Sequence, residues 1–169
     1  MITVPGEYCP LCGTDLDRVT VEGRERRHCP GCDRVVRQNS KPVASVVVTD
    51  GSRVLLGKRA VEPNRGLWGT PGGNLEHDEP PAAGVARELR EETGVRVDPD
   101  DLDLYRVDHA TREGRSVVGI RYVVPRAATD GEPEARDETL AARFDTLDGF
   151  RDDGGISPWS RDLLTAVLE

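Results

Sequence analysis

The sequence predicts an α/β domain built on a mixed sheet, preceded by a small unit held together by four cysteines. Three observations carry that expectation. All four cysteines fall within the first 32 residues. After residue 42, β-branched runs alternate irregularly with helix-period segments. A length of 169 residues allows one ordinary domain plus a small appendage.

The cysteines come as Cys9-Pro10-Leu11-Cys12 and Cys29-Pro30-Gly31-Cys32, with sixteen residues between the pairs. That is the spacing of a tetrahedral Zn²⁺ site. Two disulfides would need an oxidising compartment, and Met1-Ile2-Thr3-Val4-Pro5 lacks a charged segment followed by an apolar run. Residues 1–38 are therefore expected to form a zinc ribbon, with Arg18 to Val21 and Glu25 to His28 pairing around Glu22-Gly23. A core this small needs the ion for its folding energy. His28 adjoins Cys29, but four thiolates already complete the ligand set.

Gln38-Asn39-Ser40-Lys41-Pro42 has linker character, and residues 39–169 form the second expected domain. Val43 to Thr49 is a β-branched run ended by the turn Asp50-Gly51-Ser52. Arg53 to Arg59 pairs back, with Val54 and Leu56 on one face and Leu55 on the other. The stretch from Glu62 to Gly73, rich in Pro and Gly, is expected to be loop. Pro80 and Pro81 open a helix that runs to Thr93, where Gly94 supplies the C-cap. Leu102 to Ala110 and Ser116 to Val124 are strands around Glu113-Gly114, and Ala142 to Leu147 is a shorter one. Pro158 to Leu168 closes the chain as a helix with Ser157 as N-cap.

Composition narrows the function. A net charge of -8 and a pI near 5.0 argue against non-specific nucleic-acid binding, because the whole-protein field repels a polyanion. An acidic protein that handles phosphates must bring cations of its own. No segment approaches the roughly 18 apolar residues that cross a bilayer, so a soluble, cytoplasmic protein is expected.

The chemistry concentrates on the helix after residue 80. Ala82, Val85, Ala86 and Leu89 make a buried stripe at i, i+3, i+4 and i+7. Glu88, Glu91 and Glu92 crowd another side, where like charges cost roughly 0.2–0.5 kcal/mol per pair. Glu91 and Glu92 also stand near the helix C-terminus, which disfavours anions. A bound cation would reverse both penalties. Upstream, Pro71-Gly72-Gly73 lets backbone approach a ligand closely.

Gly73, five residues, Glu79, seven residues, Arg87-Glu88-Leu89, one residue, Glu91-Glu92, one residue and Gly94-Val95 resemble the Nudix signature at each defined position. The resemblance implies the Nudix α/β/α sandwich and metal-dependent hydrolysis of a nucleoside diphosphate linked to another moiety. It implies that Glu91 and Glu92, with Glu88 and the Gly73 carbonyl, bind Mg²⁺ or Mn²⁺, that Arg87 orients the glutamates, and that Glu79 supports them from behind. Hard divalent ions prefer carboxylate oxygens and keep waters, which suits attack on a phosphate.

Gly57-Lys58-Arg59 and the run Gly66 to Gly73 resemble the lead-in of ADP-ribose and dinucleotide pyrophosphatases. Asp137-Glu138, Arg143-Phe144 and Leu147-Asp148 resemble later segments of the same enzymes. Ala141 and Gly149 stand where many relatives carry an acid, so Glu138 is the first candidate general base and Glu134 the second. Arg59 and Trp68 are candidate substrate contacts together with Gly72 and Gly73, while Tyr122, Arg106, Arg112 and Arg121 read more simply as core or surface. A ribbon followed by this domain resembles both NADH and FAD pyrophosphatases. The Ser-Gln-Pro-Trp-Pro-Phe run of the NADH enzymes is missing, which favours FAD or ADP-ribose. The alternatives are an NADH or RNA-cap pyrophosphatase, or a nucleotide-sensing regulator whose ribbon binds nucleic acid through Arg24, Arg26, Arg27, Arg34 and Arg37. A small-molecule nucleotide is the expected partner, and the resemblance also suggests a homodimer.

Overall fold

The hairpin expected near the N-terminus is present in the computed structural model of the chain, which describes residues 6–112 and 115–168. Strands β1 (Asp17–Val21) and β2 (Arg24–Cys29) pair antiparallel from Asp17↔His28 to Val21↔Arg24, and β3 (Arg34–Val36) adds to β2. Sequence reading missed β3, since three residues are too few to show a period. Leu16, Cys9 and Cys29 are the buried centre of this unit, with Cys32 and Val36 packed on them. By compactness the chain divides into residues 1–41 with 110–117, and residues 42–109 with 118–169.

The second unit is organised by a sheet in the order β12-β5-β4-β10-β9, where β4 is Lys41–Asp50, β5 Arg53–Arg59, β9 Asp103–Arg112, β10 Arg115–Pro125 and β12 Thr139–Asp145. The β9–β10 turn expected at Glu113-Gly114 lies outside the described residues, as does the Arg112 side chain. Two short strands, β6 (Trp68–Gly69) on β5 and β7 (Gly72–Asn74) on β4, arise inside the stretch expected to be loop. Their pairing is made by backbone, which side-chain periodicity does not report. Strand β4 likewise takes in Lys41 and Pro42, which read as linker.

Successive residues of a strand face opposite sides, and the two cores follow that alternation. Ala44, Val46, Val48 and Leu55 pack with Val85 and Leu89 of helix α1 (Pro81–Thr93). Val47, Val54 and Leu56 pack with Phe150 of α2 (Leu147–Asp152) and with Leu163 and Leu164 of α3 (Pro158–Leu168). Helices thus cover both faces, as the α/β/α expectation requires. Helix α1 starts with Pro81 after Pro80 and ends at Gly94, whose φ of 73° closes a left-handed cap with its N–H on the Arg90 carbonyl. The strand expected at Ala142 to Leu147 is shifted: β12 ends at Asp145, and Thr146 accepts from the Gly149 amide to start α2. Ser157 precedes α3, its hydroxyl donating to Ser160 Oγ at 3.0 Å. The remaining short pair, β8 (Arg96–Val97) with β11 (Thr129–Asp130), lies apart from the main sheet.

Candidate active site

Arg87 is the hub of the acidic face of α1. Its Nε and NH2 donate to the two Glu79 oxygens at 2.8 and 3.0 Å, and NH1 donates to Glu88 Oε1 and to Glu91 Oε2, both at 2.9 Å. A planar guanidinium holds a carboxylate in two places, which a lysine ammonium cannot do. NH2 also reaches the Asn74 carbonyl at 3.3 Å and so ties the helix to β7. The Arg87 bonds hold Glu79 below its ordinary pKa against the cost of burial. Burial pushes the Glu88 pKa up despite the same guanidinium.

Glu92 stands one turn further on and has no such cation in contact. Burial pushes its pKa up to about 7, opposed by a 3.0 Å hydrogen bond from the Gly72 amide and by the charge of Arg59. The two glycines are steric requirements. A Cβ on Gly73 would lie 2.5 Å from the Glu88 carboxylate, and one on Gly72, at φ 149°, would strike the Ala44 carbonyl. Both keep β7 close to β4 on one side and to the glutamates on the other.

A cleft of about 480 Å³ opens over this junction, and Arg59, Gly72, Gly73, Glu88, Glu92 and Glu138 all line it. Of the residues expected there, three are placed elsewhere: Glu91, Trp68 and Glu134. Glu91 is held beside Arg87, outside the lining, so the three glutamates do not converge. Among the described residues only Cys9, Cys12, Cys29 and Cys32 bring three or more such ligand atoms together. Trp68, expected as a substrate contact, is fully buried: it packs on Phe150, lies under Arg143, and donates Nε1–H to the Asp153 carbonyl at 2.7 Å. Its ring completes the second core because β6 turns it inward against α2. Glu134, the second candidate base, is exposed and paired with Arg136 at 2.6 Å.

Trp159 and Ser160 also line the cleft without having been singled out by sequence, and so does Arg121, which read more simply as a surface charge than as a phosphate contact. Trp159, on the first turn of α3, is 47% exposed. Arg121 has a side chain only 12% exposed, gripped by Asp108 through Nε and NH2 at 3.1 Å each, with NH1 on Ser45 Oγ at 3.0 Å. Burial opposes ionisation of Asp108, but Arg121 and Arg106 together outweigh it and keep the carboxyl below its usual range. Ser160 takes the Thr70 amide at 3.0 Å. No local pattern marks these positions, since strands and a helix distant in sequence assemble them. Tyr122 is buried in the first core.

The cysteine cluster has the chemistry of a cation site. Its four sulfurs lie within 4.8 Å of one another. Hydrogen bonding among the thiols, first with Cys12, and burial push Cys32 up to about 12, while Thr14 bonds draw Cys12 down to about 6. A divalent ion would favour the thiolate at all four.

The sequence model of the NUDIX domain matches residues 39–167. A "MutT-like protein" of Streptomyces ambofaciens is 52% identical over 64 residues, 38% of this chain and 40% of the relative. A "NAD-capped RNA hydrolase NudC" of Stutzerimonas stutzeri is 33% identical over 92 residues, 54% of this chain and 32% of the relative. These matches span less than half the length of either relative. A crystal structure of a NUDIX hydrolase from Nitrosomonas europaea superposes with a TM-score of 0.75 at 24% identity, covering 96% of this chain and 90% of the other. That likeness concerns the fold. Among the described residues, no helix is long and apolar enough to cross a membrane.

Proposed function

The chain belongs to the NUDIX-domain family, and from that premise we propose that it hydrolyses the pyrophosphate bond of a nucleoside-diphosphate derivative of the FAD or ADP-ribose type, releasing AMP. The observation that carries this reading is the meeting of Glu88, Glu92, Gly72 and Gly73 in one cleft, with Arg87 bracing Glu88 from behind and the Gly72 amide holding Glu92. Glu88 and Glu92 would hold Mg²⁺ or Mn²⁺ with the Gly73 carbonyl, and Glu91 would join them from the Arg87 side. Two partly buried carboxylates whose pKa values are both raised form a donor set that a hard cation would relieve. The bound ion supplies charge neutralisation on the phosphates and a more acidic water.

The chain's own residues do the positioning that phosphoryl transfer chiefly requires. Arg87 fixes the orientation of Glu88 and Glu91. Arg59, in the lining close enough to lower the Glu92 pKa, offers charge to a phosphate. Glu138 faces the same space and is the candidate to take a proton from the attacking water. The water oxygen bonds to one phosphorus, the bridging oxygen leaves with the other, and two monophosphates result. In the N-terminal unit Cys9, Cys12, Cys29 and Cys32 would hold a structural Zn²⁺.

A second reading, an NAD-type diphosphate free or on an RNA cap, is favoured by the relative that bears that name. One assay separates them: AMP release from FAD, ADP-ribose, NADH, diadenosine polyphosphates and nucleoside triphosphates at equal Mg²⁺. FAD or ADP-ribose should exceed NADH and far exceed any triphosphate in kcat/KM. A triphosphate as best substrate would overturn the substrate class while leaving the family chemistry intact.

A further inference from the structure

A large aromatic ring left nearly half exposed at a polar cleft calls for an explanation. Trp159 is 47% exposed, whereas Trp68 is fully buried and Tyr122 is 8% exposed. The lining it shares includes the polar residues Asn64, Thr70, Ser157 and Ser160. The ring is held there by construction. Ser160, the next residue, accepts the Thr70 amide at 3.0 Å and the Ser157 hydroxyl, so the first turn of α3 is fastened to the segment between β6 and β7.

That segment leads straight to the glutamates. Two residues after Thr70 comes Gly72, whose amide donates to Glu92. Adjacent Cα atoms lie about 3.8 Å apart, so Thr70 and Gly72 are separated by at most about 8 Å. Gly72 in turn is the register partner of Ser45 on β4, and Ser45 accepts from Arg121 NH1. Along one short stretch of backbone there is thus a partly buried carboxylate, a fixed cation held by Asp108, and an aromatic face. A nucleoside phosphate has the matching parts, a phosphate for Arg121 beside Gly72 and a flat base for Trp159.

We propose that Trp159 is the stacking platform of a nucleobase subsite in this cleft, and that Arg121 sets the phosphate of the same nucleotide. The proposal deepens the pyrophosphatase reading and rests on it for the identity of the ligand. Base–aromatic stacking is tolerant of base identity because every base has a π-face, so this subsite selects for a nucleoside half without choosing the other moiety.

The test uses the intact protein and AMP, which carries no pyrophosphate bond and needs no turnover. Trp159 is the exposed one of the two tryptophans, so AMP should quench the intrinsic fluorescence saturably while ribose 5-phosphate does not. The quench should vanish in Trp159→Phe. Trp159→Ala should weaken AMP binding by calorimetry about 10-fold, and Trp159→Phe should restore most of it. In hydrolysis, Trp159→Ala should raise KM with kcat within a few-fold of the parent. Absence of AMP quenching, or AMP affinity unchanged in Trp159→Ala, overturns the subsite even if pyrophosphatase activity is present. Quenching and the affinity loss in a protein that hydrolyses none of the panel would uphold the subsite and refute the pyrophosphatase reading instead.

Discussion

The Gly72 amide donates to Glu92 Oε2 at 3.0 Å, and this bond joins the last turn of α1 to the strand that carries Gly73. It is a direct polar partner of a carboxyl that burial pushes up to about 7. Changing Glu92 to Gln removes a charge from the proposed metal-binding set with little change of shape. The turnover rate should fall by at least ~10²-fold with the fold retained. Near-parental turnover at saturating Mg²⁺, with an unchanged circular dichroism spectrum, would refute the assigned role.

Gly73 gives a sterically specific test. A Cβ there meets the Glu88 carboxylate at 2.5 Å, so Gly73→Ala must displace Glu88 from its place against Arg87. We expect hydrolysis to drop at least ~10-fold and the half-saturating Mg²⁺ concentration to rise, with thermal stability changing less than in a core truncation. An alanine variant with parental Mg²⁺ dependence would contradict the close approach.

The raised pKa of Glu92 carries a linkage consequence for the metal-free protein. A carboxyl whose folded pKa exceeds its unfolded value of about 4.3 adds stability that is fully present below that pH and is lost as pH rises through about 7. Melting in EDTA should therefore show the parent losing stability relative to Glu92→Gln between about pH 4.3 and 7. Parallel curves over that window would show that Glu92 does not titrate there.

The four-cysteine unit should contain one Zn²⁺ per chain, measurable by elemental analysis of protein purified without chelator. Cys12→Ser should release the ion and unfold the residues around β1 to β3, since the buried centre there is little more than Leu16, Cys9 and Cys29. Appreciable hydrolysis should survive, because the cleft residues all belong to the other unit. Zinc-free protein with an intact, protease-resistant ribbon would disprove the site.

What the sequence by itself determined is what short-range spacing encodes. The two Cys-x-x-Cys knuckles, the helix from Pro81 to Thr93 with its Gly94 cap, and the strand Arg53–Arg59 with Leu55 opposed to Val54 and Leu56 all follow from patterns within a few turns of chain. The signature from Gly73 to Val95 is of the same kind, and Arg87, Glu79 and Glu88 meet largely because one helix and its lead-in present them together. Only the tertiary structure decided which tryptophan is buried: Trp68 turns into the core beside Phe150, 82 positions away, while Trp159 is left at the cleft. It also withdrew Glu91 to Arg87, brought Arg121 to Ser45 across the sheet, and made strands β6 and β7 out of a glycine-rich loop. Burial and long-range pairing depend on which surfaces meet after the chain folds back on itself. Residues far apart in sequence supply those surfaces, so no local pattern contains them.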